Sequence, residues 1–168
     1  HLSRQPVVNG NFLDTGFHFA ETLGTLRRSV AKYALHITVE RPARDAADVW
    51  ADGSEACCAA RKVAPLNRAL EGRTAWLSGL RKADSATRAS TSTVEIDRRG
   101  LVKVNPLATW SDDDVEQYIA EHDIVVNPLI AAGYPSIGCW PCTEPAAGDD
   151  SRSGRWVGSD KTECGLHI

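Results

Sequence analysis

Five cysteines are the residues best suited to chemistry in this chain, and their spacing divides them into four and one. Cys57 and Cys58 are adjacent, and Cys139 and Cys142 form a C-x-x-C pair. Four thiolates are the ligand set of a tetrahedral zinc site or of a [4Fe–4S] cluster. Cys164 stands apart near the C-terminus, where a thiol can act as a nucleophile. The spacing therefore predicts one metal centre and one reactive thiol.

The adjacent pair Cys57 and Cys58 restricts the kind of metal centre. Neighbouring side chains diverge by about 100° on a helix and by about 180° on a strand. Both thiols reach one centre only at a distorted turn or a helix start, or if the centre is a broad multi-iron cluster. This geometry favours iron–sulfur over zinc, and the spacing leaves both open. A disulfide framework fits poorly, because the cysteine count is odd and no secretory signal peptide is evident.

The composition is that of one globular domain with a modest negative charge. The chain has 168 residues and a formal net charge of −3, with 42% hydrophobic and 24% charged residues. No broad basic face is evident, which argues against a nucleic-acid binder that relies on phosphate contacts. Short basic segments lie between acidic ones and suit a small anionic ligand. We expect a cytoplasmic protein without a membrane segment, and a homo-oligomer is compatible with the sequence.

Strand and helix patterns alternate along the chain and predict an α/β fold, with a mostly parallel sheet and helices on both faces. The expected elements are strands at 6–13, 35–39 and 75–80, a β-hairpin at 94–104, helices at 19–33, 61–70 and from residue 111, and a short helical piece after Pro128. Ser111 and Asp114 have the spacing of a capping box. We divide the chain into an α/β domain, residues 1–143, and a flexible C-terminal tail, residues 144–168.

Two motifs follow predicted strands directly. Asp14-Thr15-Gly16 comes after the first strand, and Arg81 comes after the strand at 75–80. In open parallel sheets, ligands bind beyond the carboxyl ends of the strands. The coincidence predicts a ligand site at this edge of the sheet.

Six short motifs then occur together: L-D-T-G at 13–16, C-C-x-x-R-K at 57–62, S-G-L-R at 78–81, G-C-x-x-C at 138–142, R-x-G-R-W at 152–156 and E-C-G-L-H at 163–167. As a set, the motifs resemble those of bacterial assimilatory adenylyl-sulfate (APS) reductases. The resemblance covers residues 6–167 and implies an adenine nucleotide α-hydrolase-like (PP-loop ATPase-related) fold. Relatives that reduce phosphoadenylyl sulfate (PAPS) typically lack the four paired cysteines, so APS is favoured.

The resemblance also implies roles for individual residues. It implies a [4Fe–4S] cluster on the four paired cysteines and a nucleophilic Cys164 that becomes an S-sulfocysteine. Thioredoxin or a similar thiol donor would then release sulfite. The substrate-binding residues implied by the resemblance, or by their charge and place in the chain, are Asp14, Thr15, Gly16, Lys62, Arg81, Arg152, Arg155 and His167.

Three other functions remain open: a PAPS reductase with the same chemistry, a non-catalytic four-cysteine zinc module, and a tRNA-thiolation relative, which the low basicity disfavours. The sequence also departs from the family pattern. A strand and a serine-containing phosphate loop are expected upstream of Leu13 and do not occur in residues 1–12. The stretch between Val39 and Cys57 is shorter than the family pattern. The intact later motifs favour the interpretation that the sequence omits these segments.

Overall fold

The computed structural model describes residues 9–148 and 150–167. In chain order the elements are β1 (Asn9–Leu13), α1 (Ala20–Tyr33), β2 (His36–Glu40), α2 (Gly53–Cys58), a π-helical segment (Ala59–Val63), α3 (Ala64–Leu70), β3 (Ala75–Leu77), β4 (Val94–Ile96), β5 (Val102–Val104) and α4 (Asp112–His122). Residues 6–8 of the first predicted strand lie outside the described residues. Within the described ranges, no helix combines the length and the apolar character that a membrane crossing requires.

The strands form two small sheets. β1 and β2 are parallel, with Asn9 opposite His36 and Leu13 opposite Glu40. In the other sheet, β5 lies between β3, which is parallel to it, and β4, which is antiparallel. Residues of β1, β2 and β3 line one cavity of about 900 Å³. The α/β class and the hairpin at 94–104 are confirmed.

The ends of α1 and α4 show how local sequence sets the helices. The Ser111 hydroxyl accepts a hydrogen bond from the Asp114 backbone N–H at 3.1 Å, and the Asp114 carboxylate accepts one from the Ser111 N–H at 2.8 Å. The predicted capping box is therefore confirmed. α4 ends at His122, and the carboxylate of the next residue, Asp123, pairs with Lys32 of α1 at 2.5 Å. This ion pair joins the C-terminal ends of the two helices.

The expected start of the helix at 61–70 was wrong. The helical run begins at Gly53 and already contains both cysteines of the adjacent pair. The expected start followed from Pro65, because proline lacks the backbone N–H that a helix interior uses and is therefore typical of a first turn. The π-helical segment explains its position, since the Ala64 N–H donates to the carbonyl of Ala59 and widens the turn before Pro65. The helical piece expected after Pro128 is also absent, and residues 128–133 form successive turns.

The first part of the C-terminal tail, residues 144–168, is attached to the cysteine loop through backbone contacts. The Glu144 N–H donates to the Gly154 carbonyl at 2.8 Å, and the Trp156 N–H donates to the Cys142 carbonyl at 3.1 Å. A Cβ atom on Gly154 would lie 2.1 Å from the Glu144 carbonyl oxygen, so this position admits only glycine. The mobility expected of the tail stays a prediction.

The end of the tail packs on β3. The His167 ring stacks on Trp76 with centroids 5.9 Å apart and planes 6° apart. Its Nδ1 atom is buried and has no hydrogen-bond partner among the described residues. Burial lowers the pKa of His167 to about 4, and the positive charges of Lys103 and Arg88 act in the same direction. The imidazole is therefore neutral at pH 7.

Replacing Gly154 by alanine should destabilise the protein. The added methyl group meets backbone rather than a flexible side chain, so we expect a loss of about 2 kcal/mol in the free energy of unfolding. Urea unfolding measures this. The matched control is Gly24→Ala in α1, where the nearest atoms are arginine side-chain ends at 3.7 Å and 3.9 Å, and where we expect a gain of up to about 1 kcal/mol. Equal stability of the Gly154→Ala variant and the unaltered protein would contradict the packing described.

The pH dependence of stability should report the buried His167. Its pKa of about 4 lies below the ordinary 6.5, so the unfolded state binds the proton more strongly. Stability should consequently rise with pH between about 4 and 6.5 and should gain nothing further from this group at higher pH. Urea unfolding from pH 4 to 8 should show a shallower rise in the His167→Phe variant. The control His122→Gln, at an exposed position on α4, should keep the slope of the unaltered protein.

Candidate functional site

The two cysteine pairs line one small cavity of about 10 Å³. Cys57 and Cys58 end α2, and Cys139 and Cys142 lie in the loop with the 3₁₀ turn Trp140–Cys142. Cys57, Cys58 and Cys139 are buried, and Cys142 is half-buried. Among the described residues, no three His, Cys, Asp or Glu side chains are grouped closely enough to hold a single metal ion.

The helix distortion lies directly after the adjacent cysteines. Cys57 and Cys58 are 6% and 5% exposed, so neither thiol points to solvent although the two are neighbours. The π-helical segment Ala59–Val63 begins at the next residue. Single π turns inside helices are frequent at functional sites. The adjacent pair was expected to share a centre at a distorted turn, at a helix start or on a broad multi-iron cluster, and the structure has a short helix that continues into a distorted turn.

Burial weakens the acidity of three of the thiols, those of Cys57, Cys58 and Cys142. It raises the pKa of Cys58 to about 11, and the charges of Lys62 and Lys161 oppose the shift. Burial and the neighbouring cysteines also raise the pKa of Cys57 and Cys142. Charged thiolates at these positions therefore need compensating positive charge.

Two of the predicted cations lie beside the four thiols. Lys62 lines the cavity, and Arg155 lies against Gly138, where a Cβ atom would be 2.3 Å from its Nη2. Arg155 donates to the Ser136 hydroxyl at 3.1 Å, whereas its buried Nε has no partner among the described residues. Burial lowers the pKa of Arg155, and the charge of Arg152 adds to the shift. Arg155 is thus a largely desolvated cation with donor capacity to spare.

The motif Asp14-Thr15-Gly16 packs against the cysteine loop. Thr15 is 1% exposed, and its hydroxyl lies 3.3 Å from the Cys139 sulfur. Asp14 pairs with Arg41 at 3.3 Å and accepts a hydrogen bond from the Gly16 N–H at 3.1 Å. The position of this motif beside a nucleotide stays a prediction. The structure adds the contact between Thr15 and Cys139, which is a candidate metal ligand.

Arg61 is a residue of the site that the sequence analysis missed. Its guanidinium donates to the Thr15 carbonyl at 3.2 Å and to the carbonyls of Ala46 and Ala47 at 2.9 Å and 2.8 Å. It also lies over the Phe17 ring, 4.6 Å from the centroid. Arg61 therefore fixes both loops next to the cavity. The C-C-x-x-R-K spacing was the available signal, because the residue follows Cys57 by one helical turn.

β3 ends at Leu77, so Arg81 lies four residues after the strand and not directly after it as expected, and carboxylates already bind it. It contacts Asp84 at 2.9 Å and Asp112 at 2.8 Å, and it donates to the Ser111 carbonyl at 3.1 Å. Burial lowers the pKa of Arg81, but the bonds and charges of Asp112 and Asp84 outweigh this effect and raise it. Arg81 does not line the four-cysteine cavity.

Glu163 is an acidic residue of the tail that the sequence analysis did not select. It precedes Cys164 in the chain, and its carboxylate lies close to Arg152 in space. Arg152 donates to the Thr162 carbonyl at 2.7 Å and lies 3.5 Å from the Glu163 carboxylate. Cys164 is half-buried and lines a groove of about 710 Å³ together with Cys58. Cys164 does not line the four-cysteine cavity. The structure thus places this thiol outside the four-cysteine cavity, in a groove that it shares with Cys58.

The chain matches the model of the phosphoadenosine phosphosulfate reductase domain over residues 2–145. A protein of Rhodococcus opacus named adenosine 5'-phosphosulfate reductase is 49% identical over 179 residues, covering 99% of this chain and 72% of the relative. The protein of that name from Mycobacteroides abscessus is 47% identical, covering 97% and 73%. These 179 aligned positions exceed the 168 residues of the chain, so the Rhodococcus relative has internal residues that this sequence lacks.

Solved structures agree with the sequence comparisons. Phosphoadenylyl-sulfate (PAPS) reductase from Candida auris, in a phosphate complex, superposes with a TM-score of 0.72 at 28% identity, covering 82% of this chain and 71% of that one. Candida glabrata FMN adenylyltransferase, at 15% identity and a TM-score of 0.60, shares the fold. The family match spans most of the chain, and the relatives align over nearly all of it. The chain belongs to the phosphoadenosine phosphosulfate reductase domain family.

Proposed function

We propose that this protein reduces adenosine 5'-phosphosulfate to sulfite and AMP with electrons from external thiols, as a step of sulfate assimilation in the cytoplasm. The observation that carries the proposal is the arrangement of the cysteines, with four thiols on one cavity and Cys164 outside it. Relatives with this activity in their name are 47% to 49% identical over nearly the whole chain. The α/β domain at 1–143 and the tail at 144–168 remain the proposed division of labour.

The reaction needs three thiol steps. The Cys164 thiolate attacks the sulfur of the phosphosulfate, the bond from sulfur to the bridging oxygen breaks, and AMP leaves with that oxygen. A thiol of thioredoxin or a similar carrier then attacks the Cys164 sulfur, and sulfite leaves with the electron pair of the sulfur–sulfur bond. A second carrier thiol resolves the mixed disulfide and regenerates Cys164. The carrier is oxidised by two electrons, and the sulfate sulfur is reduced by two.

The four paired cysteines are the proposed ligands of a [4Fe–4S] cluster. Cys57, Cys58, Cys139 and Cys142 supply the all-thiolate set that such clusters use, and they line one cavity. A cluster of several irons is wider than one ion, which suits thiols that are not grouped around a single point. When bound, the cluster would contribute its charge and hold α2 and the cysteine loop in place. Lys62 lines the same cavity and offsets the negative charge of the thiolates.

The remaining site residues act on the substrate anion. Arg155 has a desolvated guanidinium with an unused Nε, which suits a phosphate or sulfate oxygen. Arg152 and Arg81 can serve the same anion by exchanging a carboxylate for it. Asp14, Thr15 and Gly16 are proposed to contact the nucleotide, and His167 to hold the end of the tail near Cys164.

Mass spectrometry of the protein mixed with APS and no reductant tests the nucleophile. An adduct of about 80 Da, the mass of an SO₃ unit, should form on Cys164. The Cys164→Ser variant should lose the adduct and keep its iron content. An adduct on another cysteine, or sulfite release by the serine variant, would refute the assignment. Faster turnover of PAPS than of APS would instead favour the phosphorylated nucleotide as substrate.

Metal analysis after anaerobic purification tests the cofactor. Iron and acid-labile sulfide should be present in equal amounts, and Cys139→Ser should lose most of both. The matched control is Cys164→Ser, which removes a thiol outside the cavity and should retain both. One zinc per chain without sulfide would support the alternative of a four-cysteine binding module.

A further inference from the structure

A carboxylate of the tail is held by two arginines. Arg88 Nε and Nη2 donate to the two oxygens of Glu163 at 2.9 Å each. The Thr87 hydroxyl adds a hydrogen bond at 3.1 Å, and Arg152 lies 3.5 Å from the same carboxylate. Two parallel hydrogen bonds between guanidinium and carboxylate are among the strong charge-assisted contacts. We call Glu163, Arg88 and Arg152 the Glu163 cluster.

The Glu163 cluster is attached to the body of the fold. Arg88 Nη1 donates to Asp84 at 3.1 Å, and Asp84 in turn binds Arg81. Arg81 extends the series to Asp112 at the start of α4. Positive and negative side chains therefore alternate from α4 to the tail. Asp84 gives Arg88 an anchor that is independent of Glu163, so Arg88 can hold the tail to the body of the fold.

The cluster is sheltered from solvent. The side chains of Arg88, Glu163 and Arg152 are 16%, 22% and 14% exposed. Burial raises the pKa of Glu163, but the hydrogen bond and charge of Arg88 outweigh that effect and lower it. The pair is partly exposed, so concentrated salt still weakens it, although less than it weakens a fully exposed ion pair. The carboxylate is ionised at neutral pH and stays bound to the arginines.

We propose that Glu163 is the positioning residue for Cys164: its carboxylate, bound to Arg88 and Arg152, holds the adjacent thiol in the docked tail. The peptide bond between the two residues transmits the position of one to the other. In this state Cys164 lies in the groove that it shares with Cys58. Opening the Glu163 cluster frees the thiol for an external reagent. The importance for catalysis rests on the proposed role of Cys164 as nucleophile, whereas the docking itself does not.

Alkylation of Cys164 by iodoacetamide, followed by peptide mass spectrometry, tests the docking without any substrate. Glu163→Gln removes the charge and keeps the shape, and Arg88→Lys removes the two-point contact. Both should raise the alkylation rate of Cys164 by about three- to tenfold. The matched control is Glu121→Gln on α4, whose carboxylate contacts the exposed Gln117 and should leave the rate unchanged. Equal rates in Glu163→Gln and the unaltered protein would overturn the proposal.

A salt series tests whether Glu163 holds Cys164 through its charge or only through packing. Iodoacetamide is neutral, so NaCl acts on the protein alone. The rate difference between the unaltered protein and Glu163→Gln should shrink as NaCl rises towards about 1 M, where the screening length is about 3 Å. A difference that salt leaves intact would overturn the proposal. The same salt series on the unaltered protein gives a second test. The alkylation rate of Cys164 should rise with NaCl, and a constant rate would refute the role of the Glu163 cluster.

Amide hydrogen exchange on the same variants shows which residues open when the Glu163 cluster is broken. Faster exchange in Glu163→Gln should be confined to residues 157–167, and no local change there would contradict the proposal. Turnover of APS is measured separately. A protein without turnover that still shows the alkylation and salt effects would refute the proposed function and leave the positioning role of Glu163 standing.

Discussion

The adjacent cysteines share one cavity because the helix that carries them is short and distorted directly after them. In a long regular helix, neighbouring side chains diverge by about 100°, and one of two adjacent thiols would face away from a common centre. The π-helical segment Ala59–Val63 follows the pair and precedes Pro65. The same segment carries Arg61, which fixes the loop at Thr15, and Lys62, which lines the cavity. One irregular turn thus positions two thiols and two cations.

Apart from Arg61, whose guanidinium binds backbone carbonyls, the cations of the site fall into two groups by their partners. Arg81, Arg88 and Arg152 are bound by carboxylates. Lys62 and Arg155 have no carboxylate partner among the described residues, and both lie beside the four thiols. Both are partly buried, and a partly buried cation without a carboxylate partner suits a thiolate or an anionic ligand. Arg81, Arg88 and Arg152 can bind a new anion only if it displaces a carboxylate that is already bound to them.

Local signals allowed the strands, α1, α4 and the capping box at Ser111 to be predicted, since each depends on neighbouring residues. The helix start was missed because Pro65 normally marks a first turn, and no sequence signal announced the π turn before it. The contacts of Thr15 with Cys139 and of Arg88 with Glu163 join positions 124 and 75 residues apart. Periodicity carries no information at such separations. The four-and-one division of the cysteines came from their spacing, and the roles given to the two groups stay predictions.

Three contacts of different physical kinds attach the tail on both sides of Cys164. Gly154 packs against the Glu144 backbone, where steric fit leaves no room for a side chain. Glu163 binds through charge, and His167 stacks as a neutral ring on Trp76. Charge and protonation respond to salt, pH and competing anions, whereas steric fit does not. The contacts that respond to solution conditions therefore lie beyond Trp156, and any release of Cys164 would begin there while the Gly154 contact persists.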